Sequence, residues 1–263
     1  TSMKRTYVKL LTVAGLTGCF LFTSCRSAQE TTARYEISKV EGNMITIDST
    51  WDANPDKKAT TVLKPYKDKV DAMMYEVIGT SEMKMDKGTP ESLLSNLVAS
   101  VLQEAAAQVL GKPADMGLVN MGGLRNILPK GDITVGAVFE ILPFENSLCV
   151  LTMKGTDMKR LFKAIASLHG EGVSGIRLEI NKKGELLNAT IGGKPVVDDQ
   201  LYTVATIDYL ADGNGRMDAF LQAEKRECPE DATLRGLFLD YVRKQTAEGK
   251  IITSKLDGRI TVK

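Results

Sequence analysis

Met116-Gly117-Leu118-Val119, running straight into Asn120-Met121-Gly122-Gly123-Leu124-Arg125, is the stretch on which the fold reading turns. The apolar tetrad reads as a buried strand, and the glycine-bearing hexad as a polar turn at its end. Upstream, Leu93, Leu94, Leu97, Val98, Val101, Leu102 and Ala105 recur at helical spacing up to Gly111, with Thr89 placed to cap the helix and Pro90 in its first turn. Downstream come a strand over Leu148–Met153 and a helix with Met158, Leu161, Phe162, Ile165 and Leu168 on one face. Val173–Ile180 and Leu186–Ile191 alternate like paired strands around Asn181-Lys182-Lys183-Gly184. Tyr202–Ile207 is a further strand, Asp208–Arg216 a loop, Ala219–Ala223 and Thr233–Lys244 helices, and Leu256–Val262 a closing strand. Before the decisive stretch lie a hairpin of Tyr35–Ile37 with Met44–Ile47, helical character over Lys57–Met74, and an extended piece at Glu76–Gly79. Strands and helices alternate without repeats, so the expectation is an α/β (α+β) body of mixed β-sheets layered with helices, forming one domain over residues 35–263.

The 263 residues are 43% hydrophobic and 25% charged, ordinary globular values with material for a sizeable core. Lys plus Arg number 34 against 33 for Asp plus Glu, so no net field draws the chain onto a polyanion and no nucleic-acid partner is expected. The first residues depart from this composition. Lys4, Arg5 and Lys9 precede an apolar run, Leu10–Phe22, that is short for a membrane span and ends in Thr23-Ser24-Cys25. This is the pattern of a signal peptide over residues 1–25 with a lipobox, giving an exported protein anchored to a membrane by lipid on Cys25, on the periplasmic or cell-surface side. Leu16-Thr17-Gly18-Cys19 offers Cys19 as the alternative, and a plain signal peptide is the reading without lipid. Residues 26–34 then serve as a tether. Of the remaining cysteines, Cys149 lies in an apolar run and reads as a small buried thiol, with a disulfide to Cys228 left open.

His169 is the single histidine, which excludes a two-metal phosphoesterase centre built from several His and Asp ligands within this chain. Its place at a helix end reads as a favourable contact with the helix dipole. Neither a phosphate-binding Gly-x-x-x-x-Gly-Lys-Ser/Thr loop nor a Gly-x-Ser-x-Gly elbow occurs. Three loops carry what chemistry there is. Gly122 and Gly123 let the backbone turn sharply and approach a ligand, while Asn120 and Arg125 supply an amide and a guanidinium. Leu142-Pro143-Phe144-Glu145-Asn146 presents an aromatic ring in a turn beside another amide, and Asp208–Gly215 carries a second ring at Tyr209. A glycine turn with a surface arginine and a core phenylalanine are the plainer accounts of the first two.

Taken in order, these loops resemble the C-terminal, substrate-binding domain of the bacterial 5'-nucleotidase family. The resemblance also rests on Glu91-Ser92 to Asn96-Leu97, Asp132-Ile133-Thr134-Val135-Gly136, Gly155-Thr156, Val173-Ser174-Gly175-Ile176-Arg177 and Tyr202-Thr203-Val204-Ala205-Thr206. It implies that Phe144 and Tyr209 stack on a nucleobase, that Arg125 faces the ribose and phosphate side, and that Asn120 and Asn146 are the turn asparagines, with Gly122 and Gly123 in the same site. Two departures stand out. Where the family's loop commonly reads Gly-Gly-Asp-Gly-Tyr, this chain has Gly213-Asn214-Gly215-Arg216-Met217, with glycine at the aspartate that contacts ligand, and Val98-Ala99 replace a basic position found in some members.

Full-length members carry a metallophosphatase domain ahead of this one, whereas here the leader is expected to precede the binding domain almost directly. The implied role is the nucleotide- or nucleoside-binding subunit of a split 5'-nucleotidase, without catalytic residues or metal of its own, needing a separately encoded metallophosphatase to bring the divalent metal. A surface nucleoside scavenger without chemistry and a scaffold whose pocket has degenerated at Gly215 and Met217 are the alternatives.

Overall fold

The structure is a computed structural model that describes residues 36–263. The leader, the tether and the candidate lipidation sites Cys19 and Cys25 lie outside the described residues, as does Tyr35. The chain divides into two compact units, Thr1–Pro55 and Asp56–Lys263.

In the first unit the described regular structure is a 3-10 turn, Ser49–Ala53, capped by Asp48, whose side chain accepts from the Thr50 amide at 2.9 Å. The expected hairpin does not form: Glu36-Ile37 and Met44–Ile47 are irregular, with Ile37, Met44 and Ile47 at least 83% exposed. Alternation alone cannot hold two short strands that no layer among the described residues covers.

The second unit is a mixed α/β body, as expected, and its elements follow largely from the apolar pattern. Helix α1 (Lys57–Met74) is capped by Asp56, which accepts from the Ala59 amide at 2.8 Å. Strand β1 (Val77–Ser81) leads to helix α2 (Leu93–Ala105). Its N-cap is Ser92, not Thr89, with Ser92 Oγ accepting from the Ser95 amide at 3.3 Å. Both hydroxyls were available, and only Ser92 has a free amide of the first turn within reach. A single turn, α3 (Ala107–Leu110), ends at Gly111 in the left-handed region.

Strand β2 (Met116–Val119) is buried at all four positions. It lies inside a five-stranded sheet of order β10-β4-β9-β2-β5, formed with β4 (Leu148–Lys154), β5 (Gly172–Ser174), β9 (Leu201–Ile207) and β10 (Lys225–Glu227). The β2–β9 pair is parallel and the others antiparallel. Burial of consecutive residues in β2 and β4 requires cover on both faces. Helix α2 packs on β2, β5 and β9, while α5 (Gly155–Ser167) packs on β4 and β9 and also on the second sheet. Gly117 makes the α2 contact possible, because a Cβ there would stand 2.2 Å from Ala99 O.

The stretch Val173–Ile180 is two strands rather than one. Gly175, at φ +77°, turns the chain between β5 and β6 (Ile176–Ile180). Strand β6 then joins β7 (Leu186–Ile191), β8 (Lys194–Pro195) and β11 (Ile260–Val262) in a four-stranded sheet of order β11-β6-β7-β8. Strand β3 (Gly131–Thr134) pairs with β1 and feeds helix α4 (Val135–Ile141). The expected loop after β9 opens with a helical turn, α6 (Asp208–Ala211), and helix α7 (Leu234–Ala247) packs against β1, α2 and α4.

Cys149 is not a free thiol. Strand β10 pairs with β4 so that Glu227 faces Val150, which sets Cys228 opposite Cys149 on the neighbouring strand, and the two form a disulfide with their Cα atoms 4.2 Å apart. His169, by contrast, sits just beyond α5, exposed, its amide donating to Ala166 O at 2.8 Å.

Candidate functional site

Three loops at strand and helix ends enclose one cleft. Chain leaving β2 forms the turn at Asn120–Arg125, chain leaving α4 forms Leu142–Asn146, and chain leaving β9 enters α6 with Tyr209. The resulting cleft, about 590 Å³, is lined by Asn120, Gly122, Gly123, Phe144, Glu145, Asn146 and Tyr209. Six of the seven residues singled out in the sequence therefore meet in one place. Arg125 stands beside it: its guanidinium carbon is 6.0 Å from the centre of the Phe144 ring, and Nη1 reaches Gly122 O at 3.4 Å.

The rings of the cleft are not core residues. Phe144 is 48% exposed and Tyr209 44%, so each keeps an open aromatic surface. Rings so poorly covered contribute little to the fold and leave their faces open to the cleft.

What holds them is a hydrogen-bonded frame invisible in the sequence. Asp208 ties two of the loops together, since its Oδ1 accepts from Asn146 Nδ2 at 3.0 Å and from the Tyr209 amide at 2.7 Å, while its own amide donates to Ser147 O at 2.9 Å. Behind the Phe144 turn, Arg235 at the start of α7 is buried, stacks at 4.1 Å over Phe139, donates to Leu142 O at 3.1 Å and pairs with Glu145. The Leu234 amide adds a bond to Asn146 O at 2.8 Å.

The Asn120 turn is gripped from both sides. Glu171 accepts from the Met121 amide, and Lys87 Nζ donates to Leu124 O and, at 3.3 Å, to Met121 O. Burial pushes the Glu171 carboxyl up to about 7, against the opposing pull of the Met121 amide. Gly122 and Gly123 do not occupy the left-handed region; they form a 3-10 turn whose need for glycine is space. A Cβ on Gly123 would lie 3.0 Å from Asn120 Oδ1, and one on Gly122 would lie 3.3 Å from Asn120 Nδ2. The Asn120 side chain is folded beneath the turn, and among the described residues its buried Oδ1 has no hydrogen-bond partner. An acceptor left in that state is costly unless something donates to it.

Around the departures from the family pattern, Gly215 is left-handed at φ +64°, and a Cβ there would meet Leu210 at 3.1 Å and Tyr209 at 3.9 Å. Met217 is fully buried and presents nothing to the cleft. Glu91 and Asn96, which contributed to the resemblance, do structural work elsewhere: Glu91 accepts from Asn96 Nδ2 and from the amides of Asp257 and Arg259.

The cleft therefore brings two open aromatic surfaces together with polar amides. Among the described residues no group of three or more His, Cys, Asp or Glu is arranged to hold a metal ion. These residues do not fit a dimetal centre.

The family model described as "5'-nucleotidase, C-terminal domain" matches residues 77–222, more than half of the chain. This chain belongs to the 5'-nucleotidase C-terminal domain family. Every cleft-lining residue falls within the match. Among curated relatives, Endonuclease YhcR of Bacillus subtilis is 28% identical over 188 residues, covering 68% of this chain and 15% of that protein. Trifunctional nucleotide phosphoesterase protein YfkN, also of B. subtilis, is 27% identical over 238 residues, covering 83% of this chain and 16% of the relative. Among solved structures, the 5'-nucleotidase precursor from Thermus thermophilus superposes with a TM-score of 0.66 at 26% identity, covering 80% of this chain and 44% of that one. The 5'-nucleotidase C-terminal domain chain described here thus spans less than half the length of each of these relatives.

Proposed function

We propose that this chain is the nucleotide- or nucleoside-binding part of a split 5'-nucleotidase, with a separately encoded metallophosphatase docking over the cleft to hydrolyse the phosphate ester. The observation that carries the reading is the convergence of two half-exposed rings, Phe144 and Tyr209, with Asn120 and Asn146 in a single cleft. The rings would stack on the base, which suits any base because each has a π-face. The amides would take hydroxyls or base edges, and Arg125 the ribose and phosphate side. Metal-assisted hydrolysis needs ligands that hold the ion, and among the described residues no group of three or more His, Cys, Asp or Glu is arranged to do so. That chemistry is assigned to the metallophosphatase. An exported, lipid-anchored location through Cys25, or Cys19, belongs to the same proposal, because it would put the site where external nucleotides arrive.

The test is phosphate release from nucleoside monophosphates with Mn²⁺ or Zn²⁺ present. The purified chain alone should bind adenosine and release no phosphate, and adding the metallophosphatase should start turnover that Phe144→Ala impairs through KM. Hydrolysis by the chain alone would overturn the split-enzyme reading, and absence of adenosine binding would overturn the site itself.

A further inference from the structure

Helix α1 lies ahead of the family match and presents an apolar stripe that no described residue covers. Val62, Leu63, Tyr66, Val70 and Met73 are each more than half exposed, and the helix buries no residue. At the angular step of a helix these five positions fall within a sector of about 100°, the width of a face made to be buried. The helix touches the body at its C-terminal end, where Met74 O would stand 3.0 Å from a Cβ on Gly136. Its outer turns pack on nothing described.

The polar side narrows the occupant. The helix carries five lysines and two aspartates. Both aspartates are already matched four residues away, Lys64 with Asp68 and Lys67 with Asp71. Lys57, Lys58 and Lys69 have no acidic partner among the described residues, leaving a net positive face. The same angular count places Lys58 and Lys69 along one border of the stripe and Lys67 along the other. Long cationic side chains on both edges of an apolar stripe suit an interface where the stems stay in the apolar layer and the ammonium groups reach outward. Tyr66 within the stripe and the exposed Tyr75 just beyond it have the amphipathic rings favoured at that depth.

We propose that α1 is a membrane-surface helix, lying in the plane of a bilayer that bears anionic headgroups, with its Val62–Met73 stripe in the acyl boundary. This is independent of the nucleotide reading and of any lipid on the N-terminal segment. A lone amphipathic helix of this size binds reversibly, so it would orient the protein on the surface rather than anchor it.

The test reads the helix locally, because an apolar leader could bring the whole chain to vesicles by itself. Trp51 is the single tryptophan, so Trp51→Phe removes the background. In that chain, Tyr66→Trp reports from the stripe and Asp68→Trp from the opposite, exposed face. Vesicles of phosphatidylcholine mixed with phosphatidylglycerol should shift the Tyr66→Trp emission to the blue and allow quenching by brominated acyl chains, with little change for Asp68→Trp. The shift should weaken with added salt, with phosphatidylcholine alone, and with Lys58→Glu combined with Lys69→Glu. No shift at Tyr66→Trp, equal shifts for both reporters, or a shift that follows protein concentration without vesicles would overturn the proposal, the last by showing that a second copy covers the stripe.

Discussion

Removing one aromatic ring from the cleft tests whether the rings serve a ligand or the fold. Phe144 and Tyr209 are 48% and 44% exposed, so truncation to Ala leaves no sealed cavity, and the cost in stability should stay at about 1 kcal/mol, well below the loss for a core aromatic. Arg125 over the Phe144 ring, at 6.0 Å, is at the outer edge of a cation–π contact and contributes at most about 0.5 kcal/mol at so exposed a site. A stacked base, by contrast, is worth about 1–3 kcal/mol per ring, which is roughly 5- to 150-fold in Kd. Isothermal titration with adenosine should therefore show each single variant weakened in that range while the melting temperature moves by only a few degrees. The double variant should lose less than the sum, because both rings act on one ligand and the second has less to hold once the first is gone. Phe144→Leu separates stacking from mere apolar contact: it keeps most of the volume, removes the π-face and should fall between wild type and Phe144→Ala. Adenosine binding unchanged in both alanine variants would refute the stacking assignment outright.

Other parts of the structure give further expectations. Asp208→Ala breaks the bonds from Asn146 and Tyr209, and with one or two hydrogen bonds lost it should weaken adenosine binding by about tenfold with little change in stability; titration of that variant at wild-type affinity would show that the frame is idle. The Glu171 carboxyl is raised from its ordinary 4.5 to about 7, so between these values the folded state holds a proton that the unfolded chain has released. Stability contributed this way is complete below the unfolded value and is lost as pH rises toward 7, by an amount on the order of 3 kcal/mol at most. Urea unfolding across this window should show the decline, and Glu171→Gln, which still accepts from Met121, should flatten it; a wild-type profile that rises with pH through the window would contradict the burial argument. The Cys149–Cys228 bridge joins residues 79 apart, and replacing both by Ala should cost about 4 kcal/mol through the freed unfolded chain. Equal urea midpoints before and after replacement would mean that the bridge constrains little.

Local pattern carried much of the fold. The apolar tetrad Met116–Val119 is β2 to the residue, and the helical spacing of Met158–Ile165 is the buried face of α5. What depended on distant partners was hidden. Val173–Ile180 has one unbroken alternation, yet Gly175 divides it between two sheets, a choice made by β2 on one side and β7 on the other. Met44–Ile47 alternates as well and forms no strand, because no layer among the described residues covers it. The same holds at the cleft. Phe144, Tyr209 and the asparagines stand out as residue types placed in loops, whereas nothing local marks Glu171 or Arg235, and Asp208 appears only as the first residue of its loop. Their roles come from contacts across long separations, 50 residues for Glu171 with Met121 and 90 for Arg235 with Glu145. The glycine pair does mark a place of close approach, as its residue type suggests, but the reason lies underneath the turn: the Asn120 side chain, not a left-handed φ, is what excludes a Cβ.

A crystal structure of this chain soaked with adenosine bears most directly on the claim that this cleft is a nucleoside site. The base should lie against the Phe144 and Tyr209 rings, with the ribose turned toward Arg125. Adenosine bound elsewhere, or an empty cleft at saturating concentration, would contradict it.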